Sequence, residues 1–399
     1  MNFTNDNSVK LLRSGAEYFP ALAHAINQAK VVIYLQTYIY QADETGFRIG
    51  KALKKAAERG VAVNVLLDGF GSKALPEYFI ADLRQSGVKV MIYRSNISPW
   101  TLQKRRLIRM HRKVSVVDGN IGFVGGINIV DDNDGSEEMP PRLDYAVQLQ
   151  GSILIDMMNS VQILWRHMSW MTRLKQISRQ VSERVSRRLS NDATESTIKS
   201  PQITHGGDTK AAFIIRNSVL HRHDIEDAYL LAICAAKSEI LIANAYFLPS
   251  KRFRKALLAA TARGVRIKLL LQGRKEYWLM FATHALYAQL LHAGIAIYEY
   301  KKSFLHSKVA VIDSDWATVG SSNIDPLSLM LANEANVVIQ NTPFANELKA
   351  DIEHTMYSAD LITLETWEKS GLFKRFFSWM IYGSVKFFMG IVLNRDEQS

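Results

Sequence analysis

Two stretches of the sequence carry the same chemically capable side chains at the same spacing. HRKVSVVDGNIGFVGGIN runs from His111 to Asn128, and HSKVAVIDSDWATVGSSN runs from His306 to Asn323. Both read H-x-K-x4-D-x6-G-[GS]-x-N. An imidazole is a competent nucleophile or proton carrier near pH 7. Lys113 and Lys308 can steady an anionic oxygen, and the amides of Asn128 and Asn323 can donate to one. One histidine that attacks and a second that manages the proton would suffice for displacement at phosphorus. Identical internal spacing in two copies argues for one shared site where the copies meet.

The spacing makes sense on extended backbone. Residues two apart in a strand project to the same face, so His111 and Lys113 point together, as do His306 and Lys308. Val114, Val116 and Val117, and Val309, Val311 and Ile312, are the strand core between them. Asp118 and Asp313 complete the motif and are read as structural acids that bond its turn.

The elements around the motifs are duplicated as well. Val9–Gly15 is matched by Ala212–Ser218, Val31–Tyr40 by Glu239–Leu248, Ala52–Gly69 by Ala256–Gly273, and Gln85–Tyr93 by His292–Tyr300. Gly60 and Gly264 stand where a helix would end before a strand. Strands alternating with helices predict an α/β fold: two repeated domains of mixed, mostly parallel sheets flanked by helices, packed with pseudo-twofold symmetry. The expected division is 1–175 for the first domain, 176–208 for a basic linker, 209–363 for the second domain, and 364–399 for an apolar-basic tail.

Of 399 residues, 48% are hydrophobic and 22% charged, which is the balance of a folded chain. Lys and Arg number 49 against 38 Asp and Glu, a net charge of +11 that suits anionic partners. The single cysteine, Cys234, excludes an intrachain disulfide, and its apolar surroundings predict a helix-core position. The N-terminus has no signal-peptide pattern. Leu174, Ile177, Val181, Val185 and Leu189, flanked by arginines, predict a basic amphipathic helix. Ser98–Lys113 interleaves apolar and basic residues just before His111, an insertion the second half lacks, and Gly371–Asn394 is rich in Phe with only three basic residues. Both suit a lipid interface. The acidic run Asp131–Glu138 lacks the EF-hand spacing, because Val130 stands where the first acid is needed.

The duplicated motif, with RMHRK (109–113), VLLDGFGS (65–72), IANAYFLP (242–249) and WATVGSSNIDPLSL (316–329), resembles the phospholipase D superfamily over about 9–360. Within it the chain is most similar to the bacterial cardiolipin synthases, the B type especially. The resemblance implies His111 as nucleophile, His306 as general acid and base, and a phosphatidyl-histidine intermediate. It also implies an orienting acid for each imidazole. Glu334 lies 28 residues past His306 (334 − 306), and Asp144 lies 33 past His111 (144 − 111), a departure in both offset and residue type. By the same resemblance the substrates are phosphatidylglycerol and other anionic phospholipids. The place of action is then the bacterial inner membrane, peripheral or monotopic and on the cytoplasmic face, with no cofactor, metal or nucleic acid. Hydrolysis of the phosphatidyl group, transfer to another alcohol, a nuclease and a non-catalytic membrane module remain open at this stage. The oligomeric state is not written in the sequence.

Overall fold

The repeat in the sequence is a repeat in three dimensions. The computed structural model describes residues 1–94, 108–132, 140–184, 207–217, 221–274, 279–325, 332–369 and 378–384, the side chains of 175–184, 279 and 280 excepted. The first half contributes β1 (Thr4–Arg13), β2 (Val32–Thr37), β3 (Ala62–Asp68), β4 (Lys89–Tyr93), β5 (Arg109–Met110), β6 (Lys113–Val117), β7 (Ile121–Gly125) and β8 (Tyr145–Gln150). The second contributes β9 (Thr209–Arg216), β10 (Glu239–Asn244), β11 (Arg266–Gln272), β12 (Ala296–Tyr300), β13 (Lys308–Ile312), β14 (Trp316–Gly320), β15 (Ala332–Gln340) and β16 (Asp360–Ile362). The order β4-β3-β2-β6-β7-β8-β1 continues into β9-β15-β14-β13-β10-β11-β12-β16. One sheet therefore runs through both halves, joined by antiparallel pairing of β1 with β9.

Asn7 pins that seam. Fully buried, it donates to the carbonyls of Thr4 (2.8 Å) and Thr209 (3.0 Å) and accepts from the Ile153 amide at 2.8 Å. It thus fixes both the seam and the start of the helix Ile153–Arg184, which runs uninterrupted past the expected boundary at 175. Below the sheet, Val114, Val116 and Val147 of one half and Val309, Val311 and Val337 of the other share one apolar cluster. Each half also has an outer core of its own.

The mixed α/β sheet is as expected, but it is not mostly parallel. Along this strand order, parallel pairing is confined to β2-β3-β4 and β10-β11-β12. There, helices such as Glu44–Glu58 and Lys251–Ala262 supply the crossovers that parallel strands need. These helices start at side-chain caps, Asp43 accepting from Gly46 N and Ser250 from Phe253 N, and lead into Gly60 and Gly264, both at φ +87°. By contrast, β6 and β7, like β13 and β14, are joined by tight turns and so pair antiparallel. Cys234 also departs from expectation. It is helical, within Asp224–Ala235, but exposed.

The expected basic linker, the insertion before His111 and the acidic run lie largely outside the described residues. Of the tail, Trp367 and Tyr382 join the second half's outer core, whereas Trp379 and Met380 are exposed. Among the described residues no helix is long and apolar enough to cross a membrane.

The motif acids hold the turns. Asp118 (φ +52°) accepts from the amides of Lys30 (2.7 Å), Val31 (2.8 Å) and Val32 (2.8 Å). Asp313 (φ +52°) does the same for Lys237 (2.7 Å), Ser238 (2.8 Å) and Glu239 (2.9 Å). These donors outweigh burial and keep the Asp313 carboxyl below its ordinary range. Asp118→Ala should therefore cost about 2–3 kcal/mol by stripping a charged acceptor from three amides. The check is the urea midpoint, and an unchanged midpoint would remove the structural role.

Candidate active site

Each motif histidine sits just ahead of its strand and is held by the other half of the chain. The short strand β5 pairs in parallel with β15, and the His111 amide donates to the Asn333 carbonyl at 2.9 Å. The second half repeats this. Leu305 bridges Leu143, and the His306 amide donates to the Leu143 carbonyl at 2.9 Å. The acids follow the same crossing. His111 Nδ1 lies 2.9 and 3.1 Å from the two oxygens of Glu334, and His306 Nδ1 lies 2.6 Å from Asp144.

This corrects the pairing expected from offsets along the chain. Glu334 serves His111 and Asp144 serves His306. The reason is topological. β8 and β15 flank the β1–β9 seam, so the start of each reaches the neighbouring half before its own histidine.

The two acids are seated differently, which accounts for their different lengths. Ser321 Oγ donates to Glu334 at 2.5 Å, orienting the longer carboxylate. The corresponding Gly126 has no side chain because Asp144 lies against it. A Cβ there would stand 2.2 Å from an Asp144 oxygen. Asp144 in turn accepts from the Tyr145 amide at 2.8 Å.

Lys113 and Lys308 are both buried, and each donates to the carbonyl of its own motif histidine, Lys113 at 2.7 Å. Burial pushes Lys113 down to about 7, against the pull of Glu334, and Lys308 down to about 8, against Asp144 and Glu334. His306 is pushed down to about 4 by burial and then by Lys308, despite Asp144. Burial likewise lowers His111 against Glu334. Although burial works to raise both acids, Lys308 and His306 hold Asp144 below its ordinary range, and His111 and Lys113 hold Glu334 below its own. Burial thus works against charge on both imidazoles, beside two carboxylates held in their charged form. Because each Nδ1 faces a carboxylate and carries the hydrogen, each Nε2 presents a lone pair.

The remaining predicted residues divide. Asn128 and Asn323 are buried. Asn128 Oδ1 accepts from the Ile39 amide at 3.1 Å, while Asn323 Oδ1 has no hydrogen-bond partner among the described residues. Asp118 and Asp313 are not brought to the histidines, since each lies five residues from its lysine, about 17 Å along a strand. Two residues escaped sequence reading. Asp68 is fully buried and accepts from the Met110 amide at 2.8 Å, fixing the residue before His111. Tyr38 packs edge-on against His111, ring centroids 4.7 Å apart, with the Lys113 ammonium 5.3 Å from its ring. The duplicated strand matches it to Tyr246 in the sequence, but by strand register, with Tyr40 and Phe247 bridging Ile129 and Ile324, its counterpart in the second half is Ala245. Among the described residues no group of three or more His, Cys, Asp or Glu could hold a metal.

The family described as "Cardiolipin synthase, PLD-like domain" matches residues 22–139 and 229–356, enclosing both motifs. The chain belongs to this cardiolipin synthase family. Cardiolipin synthase B of Salmonella typhi is 37% identical over 348 residues, 87% of this chain and 80% of that one. Cardiolipin synthase B of Escherichia coli strain K12 is 37% identical over 347 residues, covering 87% and 79%. Among solved structures, phosphatidylserine synthase of Haemophilus influenzae shares the fold at a TM-score of 0.67 and 12% identity, over 96% of this chain and 95% of that one. This family member thus has the full two-motif frame in one polypeptide.

Gly126→Ala should displace Asp144 and lower turnover of a chromogenic phosphodiester about 100-fold, the scale of a 1 Å misplacement. Unchanged turnover in the folded variant would mean that Asp144 does not position His306. Binding of sulfate, an anion that does not itself titrate near pH 7, adds negative charge beside His306 and Lys113, raises their depressed pKa values, and should take up protons near pH 7. Calorimetry in buffers of different ionisation enthalpy measures this. Proton release would contradict the charge assignment.

Proposed function

We propose that the protein is a cardiolipin synthase that transfers the phosphatidyl group of one phosphatidylglycerol to the hydroxyl of another, releasing glycerol. The observation carrying this reading is the crossed pair of histidine–carboxylate contacts. With each Nδ1 held by a carboxylate, Nε2 is the nitrogen of each imidazole left for chemistry, and a buried lysine follows two residues on. His111 Nε2 attacks phosphorus as the bond to glycerol oxygen breaks, and His306, protonated as the anionic lipid binds, gives its Nε2 proton to that oxygen. Glycerol leaves a phosphatidyl-histidine. The second phosphatidylglycerol then gives its hydroxyl proton to His306 and bonds to phosphorus, breaking the P–N bond and restoring neutral His111. Lys113, Lys308, Asn128 and Asn323 steady the phosphoryl oxygens throughout.

One phosphodiester replaces another of similar energy, so no nucleotide is consumed. Exclusion of water favours transfer over hydrolysis. On this reading the enzyme works peripherally at the cytoplasmic face of a bacterial membrane.

His111→Ala and His306→Ala, tested separately on phosphatidylglycerol, should each reduce cardiolipin formation at least about 1,000-fold. A substantial rate in either variant would sink the two-histidine mechanism. Two displacements at phosphorus also predict retained configuration with a chiral thiophosphate donor. Inversion would exclude the covalent intermediate, and phosphatidic acid as the main product would make the enzyme a hydrolase.

A further inference from the structure

The helix Ile153–Arg184, 32 residues long, carries apolar side chains on two opposite faces. The inner face is accounted for. Met157, Met158 and Val161 enter the central core, and Leu164, Trp165 and Met168 pack on Leu66, Tyr93 and Met110. The outer face is not. Ile163, Trp170 and Leu174 recur at spacings of seven and four, which puts them on one line of the helix. They are 66%, 57% and 40% exposed, and the adjoining Met171 is 37% exposed. Arg166 and Arg173, themselves exposed and seven residues apart, run along one edge of this line. In the sequence the same apolar spacing continues at Ile177 and Val181.

An exposed apolar stripe with tryptophan at its centre and arginines along its margin is the pattern of a helix lying in a lipid–water interface. The arginines make the surface complementary to anionic headgroups rather than to a neutral apolar partner. The inner face packs on Met110, the residue before His111, so about one helix diameter separates the stripe from the catalytic strand. We propose that the stripe Ile163–Trp170–Leu174, edged by Arg166 and Arg173, docks the enzyme on an anionic bilayer and holds the site within reach of lipids that remain anchored by their tails. The proposal rests on the lipid-substrate reading above and adds the surface through which substrate is met.

The test uses the full chain and two variants, Ile163→Glu/Trp170→Glu and Arg166→Glu/Arg173→Glu, each checked for an unchanged unfolding midpoint. Flotation with vesicles of phosphatidylcholine and phosphatidylglycerol should show binding by the parent chain that weakens with salt. Binding should fall about tenfold or more in both variants. Cardiolipin formation on those vesicles should fall with it, while formation from detergent-dispersed phosphatidylglycerol stays at the parent level. Undiminished flotation of the variants overturns the proposal, as does a parent dimer that the variants convert to monomer without loss of binding. If the parent chain makes no cardiolipin even in detergent, the functional reading fails, whatever the flotation result.

Discussion

The orientation of His111 and His306 depends on carboxylates that arrive from the opposite half of the chain. A buried carboxylate is tolerable only when paired and hydrogen-bonded, and removing its partner leaves an uncompensated charge. Glu334 and Asp144 meet that condition only if β15 and β8 begin within about 3 Å of the other half's histidine. The rest of the fold supplies this alignment. The β1–β9 seam, pinned by Asn7, sets the two half-sheets edge to edge, and the shared central core keeps them there. A slip of one residue in β8 or β15 would turn either acid to the opposite face.

The frame is symmetric, but the site it builds is not. Glu334 is steered by the Ser321 hydroxyl, whereas the shorter Asp144 fits against the bare Cα of Gly126. Tyr38 lies against His111, while the second half has Ala245 at the matching position. The proposed mechanism gives the two imidazoles different work, one bonding to phosphorus and the other moving a proton, and they stand in environments that differ by a few atoms. The charge arrangement serves both. Burial works against charge on both imidazoles, and an anion bound beside them favours a proton on one.

Much of this was legible in the sequence. Duplication, motif spacing and glycine helix ends gave the two-part α/β frame and the residues that meet. What escaped has a common physical cause: pairing across space does not follow distance along the chain. Offsets of 28 and 33 residues pointed each acid to its own histidine, but strand order sent it to the other. Helical crossovers suggest a mostly parallel sheet, but the hairpins at Asp118 and Asp313 add antiparallel strands without adding helices. Cys234 sits in an apolar run yet faces outward, since that helix covers the sheet with one side only. Asp68 acts on a backbone amide, which leaves no mark in residue spacing.

The crossed pairing can be measured directly by double-mutant cycles on unfolding midpoints. Asp144→Asn combined with His306→Ala, and Glu334→Gln combined with His111→Ala, should each show coupling of about 1–3 kcal/mol. The same-half combinations, Asp144→Asn with His111→Ala and Glu334→Gln with His306→Ala, should add to within about 0.5 kcal/mol. Strong coupling in the same-half pairs with additivity in the crossed ones would contradict the account.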